Sequence, residues 1–551
     1  MCASNLKTVT PNKKPEFIST RAPFSNFSFI EEYFMFAFYP LQRILSQMRV
    51  LNYKTIVLEE INSVGYSAEE DDDLQRAGFK DTPKTLTRLS YFSTEINSSN
   101  ELSATENSHF LGYAVVKKVP CKNGHRWIVF ESVSKASRYA NNYINKQYEY
   151  AVAIDGNPFR VRGVLYCQQN TTTSECAHVA LRTFISMLNE PKDFSCSKIN
   201  KILLDGGKPH LREEGLDTEQ IQLLLNKLDI PHSVQIYNYE KDGPIPPLDY
   251  QHILYGSVES GYPALLGFST EKSAHIIPVI GHTFNEDTWA PDAASTYFKI
   301  GDSTKYIPSE LWVSNYLCHD DNFGSYYCIP RQYLRSTRQI TVIAATPYGA
   351  KYDAIVAEAL GLRYLYMLLG ELAKENKTSQ WARRLVRALT DNRGRIVLRA
   401  IYMHSDEYIK HLSSISGWDD STISPELIAA LKKNLKENLC IVEISLPELF
   451  PANRRKLGEI VLNPNSDVNT KEDTAAFRFA RILGKTYFMV LDEKNHVDII
   501  KYHTRVDTHT QLYSNIGVNN PPPLNKTLTL IRKLKQIIHR LFTFKNILKG
   551  I

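Results

Sequence analysis

One cysteine stands where its thiol can act as a nucleophile. Cys176 follows a polar stretch that contains Gln168 and Gln169, and it precedes a run whose apolar residues have helical spacing. With Ser174 as the N-cap, Cys176 falls in the first turn of the predicted helix. The positive end of the helix dipole favours a thiolate there. The pattern therefore indicates a nucleophilic cysteine, although a thiol in an Ala-rich helix is more often a small core residue.

A nucleophilic thiol needs a general base, and the nearest histidine in the sequence does not qualify. His178 lies two residues further along the same predicted helix, so it points to nearly the opposite face. His275 opens a predicted apolar strand directly after a turn, where a side chain can project from a rigid sheet edge. We therefore predict His275 as the base and keep His282 in reserve, while a hydrogen-bonded structural histidine is the ordinary alternative.

The third member of a catalytic triad orients the base. Asp292 ends the next predicted strand and suits this role best, with Asp287 and Asp302 as alternatives. The hydrophilic run at 319–322 is interpreted as a helix C-terminus with its loop. An oxyanion also needs donors, and either Gln169 or its neighbour can supply a side-chain amide beside the backbone N–H of the cysteine.

Taken in order, these segments resemble a papain-like cysteine peptidase, most closely the bacterial branch that includes the double-glycine leader peptidases. The resemblance covers residues 160–345 and is carried by Gln169, Cys176-Ala, Gly215-Leu-Asp-Thr-Glu-Gln-Ile, Tyr262-Pro-Ala-Leu-Leu-Gly-Phe, Ala274-His-Ile-Ile-Pro-Val-Ile-Gly281 and Trp289-Ala-Pro-Asp292. It implies an α+β fold in which the helix that carries the cysteine packs on an antiparallel sheet. The implied roles are Cys176 as nucleophile, His275 as base and acid, Asp292 as orienter and Gln169 as oxyanion donor.

Three features depart from the family pattern. Ala177 follows the cysteine where papain has Trp. Gln169 stands seven residues before Cys176, one more than is usual, so Gln168 can equally take its role. Glu175 places a negative charge beside the thiol, which opposes thiolate formation unless that side chain points to solvent.

The cysteines indicate neither a disulfide framework nor a metal centre. The eight cysteines are scattered and contain no Cys-x-x-Cys, which favours a reducing cytoplasm. Cys318, His319 and Cys328 lie close in sequence, but their spacing matches no zinc pattern. No nucleotide-binding or HExxH motif is present. We therefore expect no metal and no cofactor.

The length and composition predict a soluble protein of several domains. A chain of 551 residues is too long for one core, and its hydrophobic (43%) and charged (23%) fractions are ordinary. We expect a flexible N-terminus at 1–22, a β-rich module at 23–165, the catalytic domain at 166–345, a mixed helical and β domain at 346–519, and a Pro hinge with a basic amphipathic helix at 520–551.

Two local interpretations concern segments outside the proposed triad. The five consecutive acids Glu69–Asp73 are most simply a solvated loop. Pro308–Leu317 has apolar residues at helical spacing and is predicted as a helix. Neither the N-terminus nor any other segment has the apolar run of a signal peptide or of a membrane span.

The C-terminal segment contains seven Lys or Arg from Lys526 onward and no acid, so its charge of +7 exceeds the net charge of +6 and the rest of the chain is near −1. Its apolar stripe favours docking on a partner protein, or on an anionic membrane surface, over nucleic-acid binding.

The leading hypothesis is a cytoplasmic, bacterial thiol hydrolase that cleaves a peptide or isopeptide bond in a protein substrate. One alternative is a non-catalytic papain-like binding scaffold in a multi-protein bacterial assembly, for example one that acts in antiviral (anti-phage) defence. Another is a cysteine deamidase or acyltransferase that uses the same triad.

Overall fold

The computed structural model describes the residues that carry the site, together with most of the chain. The described residues are 2–3, 14–20, 32–35, 38–79, 83–121, 124–136, 142–170, 175–188, 194–209, 215–238, 250–269, 274–287, 306–331, 337–347, 349–375, 379–390, 396–414, 423–451, 454–468, 475–491, 497–502 and 513–517. Asp292, Asp302 and the basic segment at 520–551 lie outside them. None of the helices in these ranges combines the length and hydropathy that a membrane span requires.

The first part of the chain builds a five-stranded antiparallel sheet in the order β2–β3–β4–β5–β6, beside a small sheet in the order β1–β8–β9. The strands are β1 (Cys2–Ala3), β2 (Glu16–Ser19), β3 (Thr55–Asn62), β4 (Thr85–Phe92), β5 (Phe110–Cys121), β6 (Gly124–Ser134), β7 (Asn142–Tyr143), β8 (Tyr148–Ile154) and β9 (Asn157–Gly163), and the helices are α1 (Tyr39–Val50), α2 (Tyr66–Arg76) and α3 (Ser99–Ser103). Strand β2, which lies in the segment expected to be flexible at 1–22, pairs with β3.

The acidic run at 69–73 corrects a second expectation, because it lies within helix α2 and is not a solvated loop. Lys117 on β5 is fully buried, and its Nζ lies 2.8 Å from a carboxylate oxygen of Glu70 and of Asp71. A buried ammonium needs such partners. The acidic side chains of α2 that face the sheet therefore neutralise this lysine.

The central part of the chain forms a mainly antiparallel sheet in the order β10–β16–β11–β12–β14–β15, and β7 also pairs with β12. Its strands are β10 (His232–Asn238), β11 (Ala264–Ser269), β12 (Ala274–Phe284), β14 (Val313–Asp320), β15 (Gly324–Pro330) and β16 (Gln339–Ala345), with β13 (Ile307–Pro308) between β12 and β14 in the chain. Its helices are α4 (Cys176–Ser186), α5 (Cys196–Asp205), α6 (Thr218–Lys227) and α7 (Tyr250–Glu259).

Successive residues of β11 face opposite sides of this sheet, which explains how both sides are covered. Leu265 packs in one cluster with Leu181 and Phe184 of α4. Leu266 packs in another with Leu254 and Val258 of α7. Because side chains alternate along a strand, α4 lies on one face of the sheet and α7 on the other. The helix that begins with Cys176 is thus fixed on the antiparallel sheet.

The segment predicted as a helix at Pro308–Leu317 is wrong. Residues Ser309–Trp312 form a short 3₁₀ turn, and strand β14 follows at once. Most of β14 is buried on both faces, so its apolar residues do not alternate with polar ones. Such a run cannot be told from a buried helix by periodicity.

The last part of the chain forms another sheet in the order β13–β17–β18–β20–β21–β22–β23. Its own elements are α8 (Ala354–Met367), α9 (Leu369–Glu375), α10 (Gln380–Thr390), β17 (Val397–His404), α11 (Ser405–Ser414), α12 (Pro425–Asn434), β18 (Asn438–Ser445), β19 (Arg455–Lys456), β20 (Gly458–Leu462), β21 (Phe477–Ile482), β22 (Lys485–Leu491), β23 (Val497–Tyr502) and β24 (Tyr513–Ser514). The described protein is therefore an α+β structure with several antiparallel sheets. Strand β13, which precedes β14 in the chain, joins this last sheet by pairing in parallel with β17.

Candidate active site

Cys176 is the first residue of α4, and its side chain is partly exposed. Glu175 is the N-cap of this helix, where the sequence suggested Ser174, and its side chain makes no capping hydrogen bond. The first N–H groups of a helix have no partner within it. The Cys176 thiol therefore stands at the positive end of the α4 dipole.

His275 is the second residue of β12, and its ring reaches the thiol. In the β11–β12 pairing it lies opposite Phe268, and the two rings meet edge to face with centroids 5.6 Å apart. The His275 side chain is within hydrogen-bonding reach of the Cys176 side chain. The fold thus brings together a thiol from the start of α4 and an imidazole from the start of β12.

Two carboxylates lie behind His275, and both come from the end of β14. The Nε2 atom of His275 lies 3.5 Å from Oδ2 of Asp320 and 3.3 Å from Oδ1 of Asp321. They reach it because β12 and β14 pair antiparallel, with Val279 opposite Cys318. The interpretation of residues 319–322 as a helix C-terminus is therefore wrong, since they end a strand and begin a turn.

The two carboxylates differ in what else they hold. Oδ1 of Asp320 accepts hydrogen bonds from the backbone N–H groups of Asn322 (2.8 Å) and Phe323 (3.1 Å), so Asp320 also closes the β14–β15 turn. Burial and the nearby charge of Asp320 raise the pKa of Asp321 to about 6, although the charge of His275 opposes the rise. Asp321 thus changes charge near neutral pH.

The imidazole is held in its charged form. Burial alone would lower the pKa of His275, but hydrogen bonds with Asp320 and Cys176 and the charges of Asp321 and Asp320 raise it to about 10. An imidazolium between carboxylates and a thiol is the arrangement that stabilises a thiolate and later supplies a proton.

The predicted orienter is not among the residues seen at the site. Asp292 and Asp302 lie outside the described residues. Asp287 follows the far end of β12, roughly 30 Å along the strand from His275 at ordinary strand spacing. The sequence did not indicate Asp320 and Asp321 as partners of His275. The signal that could have found them is their position at the end of the apolar run that forms β14.

The two glutamines have different positions. The backbone and side chain of Gln168 both bond Val129 of β6: its N–H donates to the Val129 carbonyl (3.0 Å), and its Oε1 accepts from the Val129 N–H (2.9 Å). Gln168 is buried, and its backbone N–H and side-chain oxygen are both engaged in these hydrogen bonds. The side chain of Gln169 lies against the Asp321 carboxyl and favours its ionised form. Of the two, Gln169 lies beside the catalytic candidates.

Glu175 does not point to solvent as the sequence allowed. Its side chain is buried, and Oε2 accepts a hydrogen bond of 3.0 Å from Nδ2 of Asn170. The same amide nitrogen donates to Glu70 of α2 at 3.2 Å. The charge next to Cys176 in sequence is therefore part of a buried polar network that ties α4 to α2.

Three other histidines have structural partners. His178 lies 2.8 Å from Oδ1 of Asn200, and the reserve base His282 is buried against Glu259. His319 lies 3.0 Å from the Leu165 carbonyl, and burial lowers its pKa to about 3, so it stays neutral. Of these four described histidines, His275 is the one beside the thiol.

The site is tightly packed on its inner side. A cavity of about 10 Å³ is lined by Cys167, Cys176, Val179, Ala180, Thr183, Ile276, Pro278, His319 and Asp321. That volume is near the lower limit for one water molecule. A substrate must therefore approach Cys176 from its exposed side.

One group of described side chains has the geometry of a metal site, although the sequence predicted none. The ligand atoms of His275, Asp320 and Asp321 all lie within 4.8 Å of one another. Cys318, His319 and Cys328, which lie close in sequence, differ from this group, since the Cys318 thiol donates a hydrogen bond to the Tyr327 carbonyl at 3.3 Å.

No protein-family model, curated protein or solved structure matches the chain. What the site can do is therefore inferred from its own side chains.

Proposed function

We propose that the chain is a papain-like cysteine hydrolase that cleaves a peptide or isopeptide bond in a protein substrate. The observation that carries the proposal is the reach of the His275 ring to the Cys176 thiol, with two carboxylates 3.3–3.5 Å behind that ring. A helix that begins with the nucleophile and lies on an antiparallel sheet supports the papain-like assignment.

The side chains account for each proton in the reaction. The Cys176 thiolate attacks the carbonyl carbon, and the His275 imidazolium gives its proton to the leaving amine, which leaves a thioester on the sulfur. His275 then takes a proton from water, the hydroxide attacks the thioester, and the carboxylic acid leaves, which regenerates the Cys176 thiolate beside the His275 imidazolium. Gln169 and the backbone N–H of Cys176 are the proposed donors to the oxyanion.

Asp320 and Asp321 take the orienting role for which the sequence suggested Asp292. A carboxylate beside the imidazole fixes the ring and stabilises its positive charge when the thiolate forms. Both carboxylates lie within salt-bridge distance of Nε2, so either can serve.

A peptide library separates this proposal from its alternatives. The wild-type protein is expected to cleave a subset of peptides, Cys176→Ala to cleave none, and Cys121→Ala, which removes another partly exposed thiol, to match the wild type. Conversion of glutamine to glutamate without cleavage would favour a deamidase that uses the same residues. Absence of any product, together with an unreactive Cys176, would favour a binding scaffold.

A further inference from the structure

The proposed hydrolysis needs one carboxylate beside His275, and the site has two. One orienting group is sufficient for a Cys–His pair. Asp320 already accepts two backbone hydrogen bonds with Oδ1 and faces His275 with Oδ2. Asp321 brings a second negative charge into the same buried place, where like charges repel. Its presence needs another explanation.

The distances around His275 match the edges of a metal polyhedron. A tetrahedral zinc ion with nitrogen and oxygen ligands at about 2.0–2.2 Å holds those ligand atoms roughly 3.3–3.6 Å apart. The two separations from Nε2 are 3.5 Å to Asp320 and 3.3 Å to Asp321. All three ligand atoms fit within 4.8 Å.

The hydrogen-bonding state of these atoms independently points to a ligand. Oδ2 of Asp321 and Nε2 of His275 are buried atoms that make no well-aligned hydrogen bond with the described residues. The Asp321 side chain is 4% exposed. A buried carboxylate oxygen without a partner is costly, and a cation satisfies it.

We propose that His275, Asp320 and Asp321 bind one Zn²⁺ ion, and that this ion holds the hydrolase in an inactive form. The inactivation rests on the proposed function, because it assumes that Cys176 is the nucleophile and that His275 is its base. The binding does not, because it depends on the three side chains alone. With zinc on its Nε2 atom, His275 is no longer an imidazolium, so it can neither stabilise the Cys176 thiolate nor give a proton to the leaving amine.

The ligand set selects among ions. An imidazole ligand suits Zn²⁺, whereas Mg²⁺ and Ca²⁺ prefer sites made of oxygen ligands alone. Binding to Nε2 displaces the imidazolium proton of His275, which passes to the solvent. Affinity is therefore expected to fall at acid pH.

Direct titration of the full chain with Zn²⁺ tests the binding. We expect one ion per chain, with release of protons, and no comparable binding of Mg²⁺. Asp321→Asn should weaken zinc binding roughly 10- to 100-fold. The matched control Asp205→Asn changes an exposed aspartate at the end of α5 and should leave the affinity unchanged.

Alkylation of Cys176 in the same samples tests the inactivation. Zn²⁺ should slow modification of Cys176 in the wild type, excess chelator should restore it, and the protection should be lost in Asp321→Asn. Circular dichroism of each variant shows whether it is folded. A folded wild type that binds no Zn²⁺, or binds it equally well after Asp321→Asn, overturns the inference.

The two proposals fail in different ways. If the metal-free protein has a reactive Cys176 and does not bind zinc, the hydrolase proposal stands and the zinc site is wrong. If zinc binds with the predicted dependence on Asp321 but the metal-free thiol is unreactive, the zinc site stands and the hydrolase proposal is wrong.

Discussion

Asp321 sets how the site responds to pH. Burial raises its pKa to about 6, while hydrogen bonds and the two carboxylates raise that of His275 to about 10. An ionised Asp321 and a charged imidazole therefore coexist between about pH 6 and pH 10. Below this window the folded protein binds a proton on Asp321, and half of the negative charge that supports His275 is lost.

The rate of Cys176 alkylation should follow that proton. Because a group with a pKa of about 6 goes from mostly ionised to mostly neutral between pH 7 and pH 5, the rate should fall about tenfold over that interval. Asp321→Asn should lack the step near pH 6, and Asp205→Asn should keep it. An unchanged profile in Asp321→Asn would assign the acid limb to another group.

The adjacent glutamines should separate stability from catalysis. Gln168→Ala leaves the buried Val129 N–H without its acceptor and should lower the free energy of unfolding by about 1–3 kcal/mol. Gln169→Ala should leave stability nearly unchanged and lower the rate of peptide cleavage by about 10²-fold, as expected for loss of an oxyanion donor. Thermal unfolding and turnover, measured on both variants, check this; reversed effects would exchange the two roles.

At the scale of elements, the sequence indicated the helix and the base but not the orienting strand. Helix α4, which begins with Cys176, and strand β12, which contains His275, could be predicted because apolar spacing and turn-forming residues are local features of the sequence. Asp320 and Asp321 could not, because β14 is buried on both faces and its apolar run has no period of two. Such a run forms a strand when neighbouring strands pair with it. The neighbours of β14 are β12, which lies well before it in the sequence, and β15, which follows it.

The buried lysine under α2 should control how that helix docks. Lys117→Met leaves Glu70 and Asp71 without their cation and should lower the free energy of unfolding by about 3–5 kcal/mol. The control Lys351→Met breaks an exposed pair with Asp467 and should cost about 0–1 kcal/mol. Denaturant unfolding measures both. Equal costs would mean that burial of the Lys117 pair does not matter.

Across the whole molecule, buried charges connect the central sheet with the last one. Arg399 of β17 is paired with Glu259 of α7 and, at 2.8 Å, with Glu443 of β18. Glu259 in turn holds His282 of β12. Within the last sheet, Glu443 also pairs with Lys456, at 2.7 Å. These side chains are nearly fully buried, so each depends on its neighbours for charge compensation.

Removal of the Arg399 guanidinium should weaken the connection between the two sheets. Arg399→Met leaves Glu259 and Glu443 short of a partner and should cost about 3–5 kcal/mol, seen in calorimetry as an earlier transition. Arg160→Met, at an exposed pair with Glu149, should cost about 0–1 kcal/mol. Similar costs for the two arginines would show that the buried connection contributes little.

The same connection predicts a dependence on acid. Although burial alone would raise it, the pKa of Glu259 is lowered from 4.5 to about 2 by Arg399 and His282. Because the folded value lies below the unfolded one, this stabilisation is present above pH 4.5 and is lost as the pH falls through about 2. In Glu259→Gln that part of the acid sensitivity should be absent from the unfolding free energy; if it persists, other carboxylates account for it.

The most direct measurement of the central claim is the alkylation rate of each cysteine in the native, metal-free protein, resolved by mass spectrometry. If Cys176 and His275 form a thiolate–imidazolium pair, Cys176 reacts faster at pH 7 than the other partly exposed cysteines, Cys121, Cys196 and Cys328, and His275→Ala removes that advantage while the protein stays folded. If Cys176 reacts no faster than Cys121, or keeps its rate without His275, the thiol is not activated and the proposed hydrolase is contradicted.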